Sequence, residues 1–421
     1  MRICVIDYRY FVSSGPERYM FAVTRLLEER GHEVVPFSIR YRQNAPSPWS
    51  GYFAPPIAGE DEVTFRQHSW SASSVRRTLE RAFYSSEVYS ALSRELREVR
   101  PDVAYVLKYL RKLSPSILVA LRDNAVPIAV RFSDFELICP QQHLVRDDRV
   151  CELCVGRSPL PSVVHRCVQG SFAASAVNAL AVEYARRKGF FDLVDTFVAP
   201  SAIMRRKMIE GGVAPARIRE LPTFVALREP RPFAQRRRRI CYVGRLERVK
   251  GVEVLLDAIE TLRRDTALSD VEVVIAGDLS TRAGEAALRR LRDRPIGGVS
   301  LPGMLGESDV TELLQSSLVS VVPSLWYENM PNALLESLAC GTPVVASDLG
   351  SMRDMLHGTG AGLLFRPGDP VALADALKRA LAAGVAESMG ARAHELARTR
   401  HAPGAHADAL INLLADVRSR A

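Results

Sequence analysis

The sequence of 421 residues is poor in tryptophan and lysine and contains no long apolar run. It has three tryptophans, and 50 of its 56 basic residues are arginine. No stretch reaches the roughly 18 apolar residues of a membrane-spanning helix, so we expect none. The first residues, MRICVIDYRYFV, lack the apolar core and small-residue cleavage site of a signal peptide. We therefore expect a cytoplasmic protein.

The net charge of +8 is unevenly distributed along the chain. Residues 201–250 contain 14 Lys and Arg against 4 Asp and Glu. A solvated linker with surface helices is one interpretation, and attraction to phosphates or to an anionic membrane surface is the other. The sequence shows no nucleic-acid motif and no basic–aromatic alternation, so we expect no nucleic-acid partner.

Strand patterns alternate with helix patterns through the whole chain, which predicts parallel, doubly wound sheets. The alternation stops at a linker rich in proline and arginine, residues 221–239, and then restarts. This length exceeds one ordinary core. We predict an α/β protein of two Rossmann-like domains, residues 1–225 and 226–399, with a helix at about 400–421 that returns to the first. Ligands of such sheets bind at the carboxyl ends of the strands.

The segment PSLWYENMPNALLESLACGTP, residues 323–343, places two glutamates around a predicted helix start. Pro331 suits the first turn of a helix, and Gly341 suits the position after its end. Glu328 then lies in the preceding loop and Glu336 lies inside the helix, while the N–H groups within 330–332, those of Met330 and Asn332, favour negative charge. A ligand in which a diphosphate joins two groups rich in hydroxyls could bind to both glutamates and to these N–H groups.

Cations for such a ligand are supplied by CYVGRLERVKG, residues 241–251. The pattern predicts a strand, a turn at Gly244, and then Arg245 and Lys250 before a helix. Arginine binds phosphate as a fork and lysine as a point charge. Together they would offset a leaving diphosphate, so we expect no catalytic metal.

The motifs GRLERVKG, VVIAGD, VSLPGML and the two-glutamate segment, in this order, resemble the family 4 glycosyltransferases of the GT-B fold. The resemblance covers nearly all of 240–370. It implies sugar transfer with retention from a nucleotide-diphosphate sugar. It also implies a donor site made of Gly244, Arg245, Lys250, Gly277, Asp278, Glu328, Asn329, Met330, Pro331, Asn332 and Glu336. Arg245 and Lys250 would hold the diphosphate, Glu336 the ribose, and Glu328 with the loop after it the sugar.

Two positions of the N-terminal half match the family less closely. Gly15 occupies the slot of a glycine-rich turn near the donor phosphate, and a tight turn alone is the alternative. Relatives often carry His-Asp where this chain has Ser133-Asp134. We expect Asp134 to act in catalysis with Glu328, Arg245 and Lys250, through the acceptor or by orienting Arg131. A capping role after the strand is the alternative.

Four cysteines, Cys139, Cys151, Cys154 and Cys167, follow the spacing C-x11-C-x2-C-x12-C within an insertion at 139–167. The spacing suits a structural zinc site, and an iron–sulfur cluster uses the same ligands. Unconnected reduced thiols are the alternative, and some family 4 members resemble this chain in such a loop. The remaining cysteines, Cys4, Cys241 and Cys340, lie in apolar contexts and are predicted to be core.

The resulting hypothesis is a retaining glycosyltransferase of bacterial surface polysaccharide synthesis. Its donor would be UDP- or GDP-linked and its acceptor a glycan or a lipid-linked sugar, with peripheral contact at the inner face of the plasma membrane. Glycosylation of a small natural product is the alternative within this class. A nicotinamide-dependent oxidoreductase would require G-x-G-x-x-G after a strand, which the sequence lacks. A non-catalytic, zinc-stapled binding protein is the third alternative.

Overall fold

The computed structural model describes residues 1–13, 15–64, 67 and 71–420. The strands are numbered in the order in which they occur along the chain. They are β1 (Arg2–Asp7), β2 (Glu33–Phe37), β3 (Val103–Lys108), β4 (Ile128–Arg131), β5 (Val145–Arg146), β6 (Arg149–Val150), β7 (Thr196–Ala199), β8 (Ile218–Glu220), β9 (Arg237–Val243), β10 (Glu272–Ala276), β11 (Val299–Gly303), β12 (Ser317–Val322), β13 (Val344–Ser347) and β14 (Gly362–Phe365).

The α-helices connect and cover these strands. They are α1 (Gly15–Glu28), α2 (Ala72–Phe83), α3 (Ser86–Val99), α4 (Ser116–Asp123), α5 (Leu160–Val164), α6 (Phe172–Arg187), α7 (Ala202–Glu210), α8 (Val252–Leu262), α9 (Arg282–Asp293), α10 (Glu307–Ser316), α11 (Asn332–Ala339), α12 (Gly350–Leu356), α13 (Pro370–Ala380), α14 (Val385–Arg400) and α15 (Pro403–Ser419).

The chain forms two compact units. The first comprises Met1–His143, Glu152–Leu221 and His406–Ala421, and the second comprises Leu144–Cys151 and Pro222–Ala405. The assignment of acceptor binding to the first and donor binding to the second stays a prediction.

A parallel sheet of six strands, in the order β2-β1-β3-β4-β7-β8, organises the first unit. The residues of β3 from Val103 to Leu107 are all buried, as expected for a strand with helices on both faces of its sheet. From His406 onward, the C-terminal helix α15 belongs to this unit. It contacts α1, because the Tyr19 hydroxyl hydrogen-bonds His406 Nε2 at 3.0 Å.

A second parallel sheet, in the order β11-β10-β9-β12-β13-β14, organises the second unit. Adjacent residues of β13 alternate between two apolar clusters. Val345 packs with Ile240 and Val319, whereas Val344 and Ala346 pack in a different cluster. The sheet therefore has an apolar layer on each face, and the prediction of an α/β architecture with two parallel sheets is confirmed.

The predicted solvated linker is wrong for Arg236, which is buried. Its guanidinium donates hydrogen bonds to four oxygens, the carbonyls of Arg231, Ser317 and Cys340 and the hydroxyl of Thr342. The basic residues that follow are not linker either, because β9 begins at Arg237. A buried arginine is tolerated here because all three of its nitrogens have acceptors.

Candidate active site

The loop between β9 and α8 brings Lys250 next to the segment that follows β12. A short 3₁₀ turn, Arg248–Lys250, ends at Gly251, whose φ of +76° starts α8. A Cβ on Gly251 would lie 1.9 Å from the Pro323 carbonyl oxygen. The amide of Leu325 also donates to the Val249 carbonyl at 2.8 Å. The glycine therefore allows an approach of two backbones that a side chain would block.

Lys250 and Glu328 form a largely buried ion pair across this contact. Lys250 Nζ lies 2.6 Å from Glu328 Oε1, and their side chains are 18% and 9% exposed. Burial alone would raise the pKa of Glu328. The Lys250 charge and the hydrogen bonds to the carboxylate outweigh that effect, so the pKa is lowered. Glu328 is therefore an acceptor-only carboxylate at neutral pH.

Two further side chains orient Glu328, and neither is among the site residues predicted from the sequence. Ser324 Oγ and Trp326 Nε1 donate to Glu328 Oε1 at 2.7 and 2.8 Å. The ammonium of Lys250 lies 5.4 Å from the centre of the Trp326 ring, within cation–π range. Trp326 is not among the residues that the sequence motifs predict for the site. Its position two residues before a loop carboxylate was the available signal.

The segment after Glu328 leads into α11, which contains the second glutamate. Ser351 Oγ donates to the Glu328 carbonyl at 2.8 Å and holds the loop. The helix begins at Asn332, so Pro331 precedes it as the N-cap and the prediction of Pro331 in the first turn is wrong by one position. Pro331 still contributes its carbonyl, which accepts from Leu334 N at 3.1 Å. Glu336 lies inside α11, as predicted, and it is half-buried.

Arg245 is not part of the Lys250–Glu328 contact. Its side chain is 59% exposed and pairs with Glu247 at 2.8 Å. Its backbone is anchored, since the Tyr242 hydroxyl donates to the Arg245 carbonyl at 2.8 Å. The turn is therefore held in place while the guanidinium stays accessible. A surface pair of this kind is weak and readily exchanged for a more highly charged ligand.

Gly277 and Asp278 follow β10 at the same edge of the sheet. A Cβ on Gly277 would lie 2.1 Å from the Gly244 carbonyl oxygen, so glycine allows the two turns to touch. Asp278 accepts hydrogen bonds from Ser280 N and Oγ at 2.9 and 2.7 Å, and these lower its pKa. Gly277 thus shapes the predicted donor site, while Asp278 caps the turn before α9.

In the first unit, Asp134 forms an ion pair with Lys108 at 3.1 Å, and both side chains are largely buried. The carboxylate also accepts from Glu136 N at 2.9 Å. Burial would lower the pKa of Lys108, but Asp134 outweighs this and raises it. The guanidinium of Arg131 stacks on the Tyr19 ring, 4.2 Å from its centre.

Gly15 is the first residue of α1, and the buried Glu17 follows it in the first turn. Glu17 accepts hydrogen bonds from Arg9 Nη1 and Ser13 Oγ, both at 3.2 Å. The structure thus places Gly15 at a helix start after β1. Its part in donor binding stays a prediction.

The four cysteines of the insertion differ in burial. Cys139 and Cys154 are buried, and Cys151 and Cys167 are half-buried. Among the described residues, no group of three or more His, Cys, Asp or Glu side chains is placed to hold a metal ion. The zinc site, with an iron–sulfur cluster as its alternative, stays a prediction. The predicted burial of Cys4, Cys241 and Cys340 is confirmed.

Within the described part of the chain, none of the helices combines the length and apolar character needed to cross a bilayer.

Residues 237–383 match the sequence family described as Glycosyl transferases group 1. Among curated proteins, the chain is similar to the phosphatidyl-myo-inositol mannosyltransferase of Mycobacterium leprae, with 33% identity over 33% of this chain and 36% of that protein. It is also similar to the D-inositol 3-phosphate glycosyltransferase of Salinispora tropica, with 31% identity over 54% of this chain and 48% of that protein. The chain thus spans about a third to a half of the length of these relatives.

Two solved structures show the same fold over the full length. The sucrose-phosphate synthase of Thermosynechococcus elongatus has a TM-score of 0.71 at 20% identity and covers 100% of both chains. Anabaena HepE in complex with UDP-glucose has a TM-score of 0.67 at 14% identity and covers 99% of this chain and 100% of that one. The chain therefore has the GT-B fold, and its residues 237–383 match the glycosyl transferases group 1 family.

Proposed function

We propose that the protein is a retaining glycosyltransferase that uses a nucleotide-diphosphate sugar. The observation that carries this proposal is the buried Lys250–Glu328 pair with its donors Ser324 and Trp326. The pair lies within the segment that matches the family. Lysine at a helix start and an ionised glutamate are the groups that a diphosphate and a sugar hydroxyl require.

In the proposed reaction, the bond between the anomeric carbon and the diphosphate oxygen breaks on the face that the acceptor hydroxyl attacks. The new bond joins the acceptor oxygen to that carbon, and the hydroxyl proton passes to the departing phosphate oxygen. Lys250 and Arg245 offset the charge that develops on the diphosphate. Glu328 orients the sugar and Glu336 the ribose. We place Asp134 on the acceptor side, where it fixes Lys108.

For the donor we propose UDP- or GDP-linked sugars, and for the acceptor a glycan or a lipid-linked sugar of surface polysaccharide synthesis. Structures of the similar Anabaena HepE contain UDP or UDP-glucose. The names of similar proteins include a phosphatidyl-inositol and an inositol phosphate, which favours a polar or lipid-anchored acceptor. A cytoplasmic location, peripheral to the inner face of the plasma membrane, is part of the proposal.

A thermal-shift screen against UDP, GDP, dTDP, ADP and NADH tests the donor assignment. A ligand at about 100 times its Kd stabilises the folded state by about 2.7 kcal/mol. We expect one nucleoside diphosphate to raise the Tm. We also expect Glu336→Ala to abolish the shift and Glu387→Ala, an exposed glutamate of α14, to keep it.

A shift with NADH alone would favour the oxidoreductase alternative and contradict the proposal. If the screen identifies a base but the corresponding nucleotide sugars are neither transferred nor hydrolysed, the non-catalytic binding protein becomes the better reading.

The cysteine spacing supports a separate proposal of structural zinc. Elemental analysis of protein purified without chelator should find about one zinc per chain, and iron in its place would indicate the cluster. We expect Cys151→Ser to lose the metal and Cys241→Ala, a core cysteine, to retain it. Wild-type protein without metal would remove the proposal.

Residues 153–180 of the first unit also carry an apolar surface that suits peripheral membrane contact. Five of the eleven large apolar side chains exposed in the described residues lie between 153 and 180, on or beside α5 and α6. Leu160 and Phe172 are 62% and 61% exposed. Exposed Arg187 and Lys188 follow at the end of α6, which favours an anionic lipid surface.

Sedimentation with vesicles tests this surface. We expect binding to vesicles that contain phosphatidylglycerol, and at least a tenfold loss in the double variant Phe172→Ser/Leu180→Ser, because each buried side chain contributes about 1.5–3 kcal/mol. The matched control is Met304→Ser/Val371→Ser, two exposed apolar residues of the second unit. Equal binding of both double variants would rule out the surface.

A further inference from the structure

Polar side chains follow three neighbouring strands of the first sheet. Tyr41 follows β2, Arg9 follows β1 and Lys112 follows β3, and these strands are adjacent and parallel. All three residues therefore lie on the side of the carboxyl ends, where open α/β sheets bind ligands. Tyr41 and Lys112 are buried, and Arg9 retains 17% side-chain exposure.

Arg81 joins these residues from the last turn of α2, and its side chain is 0% exposed. Nη2 donates to the Pro55 carbonyl at 2.7 Å and lies 3.4 Å from Glu87. In the part of the chain that the structure describes, Nε and Nη1 have no hydrogen-bond partner. A buried donor without an acceptor costs about 1–3 kcal/mol, and more when the group is charged.

Arg236 shows that this protein otherwise satisfies a buried guanidinium. Its Nε, Nη1 and Nη2 all donate to oxygens of the second unit. Arg81 is buried at least as deeply, yet two of its three nitrogens have no acceptor among the described residues. The difference points to an acceptor that the described part of the chain does not supply.

Two further members of the group share this property: within the described residues, Arg9 Nε and the Tyr41 hydroxyl are also buried without a hydrogen-bond partner. Lys112 differs, because its Nζ donates to the Val63 carbonyl at 2.9 Å. Burial lowers the pKa of Lys112 to about 7, and the charges of Arg9 and Arg81 add to the effect. The three cations therefore lie close enough to repel one another. We call Arg9, Tyr41, Arg81 and Lys112 the basic cluster.

Carboxylates offset part of this charge. Glu17 accepts from Arg9 Nη1 at 3.2 Å, and Glu87 faces Arg81 from the start of α3. Asp7, at the end of β1, is also near, but burial raises its pKa to about 8, so it is largely neutral at pH 7. The cluster therefore combines three basic side chains with two ionised carboxylates, and neither carboxylate accepts from Arg81 Nε, Arg81 Nη1 or Arg9 Nε.

We propose that the basic cluster binds a compact oxyanion, a phosphate group carried by the acceptor. A guanidinium edge, a phenol and an ammonium together provide the directed donors and the charge that phosphate recognition uses. Binding would supply acceptors to Arg81 Nε and Nη1, Arg9 Nε and the Tyr41 hydroxyl. That the anion belongs to the acceptor rests on the proposed glycosyltransferase function, whereas anion binding itself does not.

Isothermal titration of the full chain with inorganic phosphate, at constant ionic strength, tests the cluster. We expect the wild type to bind phosphate and Tyr41→Phe to bind about tenfold more weakly, because one hydrogen bond to a charged group is lost. Arg81→Lys, which keeps the charge but removes the fork, should lose at least as much. Tyr89→Phe is the control, since Tyr89 is on the surface and its hydroxyl donates to Asp123.

A second titration identifies the source of the phosphate. Glycerol 3-phosphate should compete with inorganic phosphate and glycerol should not; failure of glycerol 3-phosphate to compete would overturn the acceptor assignment. Wild-type phosphate affinity in both Tyr41→Phe and Arg81→Lys, with circular dichroism unchanged, would overturn the cluster itself. The UDP shift of the same proteins reports separately on the second unit. If UDP shifts the Tm of neither the wild type nor any variant while phosphate still binds, the result counts against the proposed function alone.

Discussion

Lys250→Ala should lower kcat/KM for sugar transfer by about 10²–10³-fold, the usual effect of removing one preorganised group that stabilises developing charge. The variant also leaves Glu328 buried without its ammonium partner. Burial then raises the pKa of Glu328, so the carboxylate takes up a proton more readily and loses acceptor capacity. Steady-state kinetics with the nucleotide sugar identified by the thermal-shift screen measures the loss.

Lys378→Ala is the matched control for this substitution. Lys378 is a lysine of the same unit, 62% exposed, and pairs with Asp265 on the surface. Because exposed pairs contribute about 0–1 kcal/mol, turnover and Tm should be nearly those of the wild type. Wild-type turnover in Lys250→Ala would contradict its assignment to the diphosphate, whatever the control shows.

Gly251→Ala should be among the most destabilising single substitutions of the second unit, at about 4 kcal/mol or more. Two effects add. The φ of +76° is unfavourable for alanine, and the new Cβ would overlap the Pro323 carbonyl oxygen at 1.9 Å. The overlap is removed only if the turn moves away from the segment after β12. That movement would separate Lys250 from Glu328, so nucleotide binding should fall together with the Tm.

Gly384→Ala separates these two effects. Gly384 has nearly the same φ, +74°, at the start of α14, but a Cβ there meets nothing within 4 Å. Its substitution should therefore cost only the backbone strain, about 1–2 kcal/mol. Differential scanning calorimetry of the two variants, with and without the nucleotide, gives the comparison. Equal Tm values would show that the contact with Pro323 does not hold the turn.

Local patterns in the sequence were sufficient to predict the elements that carry the candidate active site of the second unit. The strand-turn-helix pattern around Gly244 and Lys250 appears as β9, a 3₁₀ turn and α8. The glutamates at 328 and 336 appear in a loop and in α11. Such patterns are readable because burial on both faces of a sheet, glycine turns and helix ends each impose local residue preferences. Helix start positions were less accurate, as Pro331 shows.

The pairing of Lys250 with Glu328 is decided by the tertiary structure, since 78 residues separate them. It depends on the close approach of Gly251 to Pro323, and on Ser324 and Trp326 directing their donors to one carboxylate oxygen. The burial of Arg236 and Arg81 is also decided by the tertiary structure. In the sequence, Arg236 is part of a basic run that is typical of a solvated linker, and no pattern predicts a role for Arg81. Charge and residue type are properties of the chain, whereas desolvation and the number of acceptors around a buried cation depend on which distant segments pack against it.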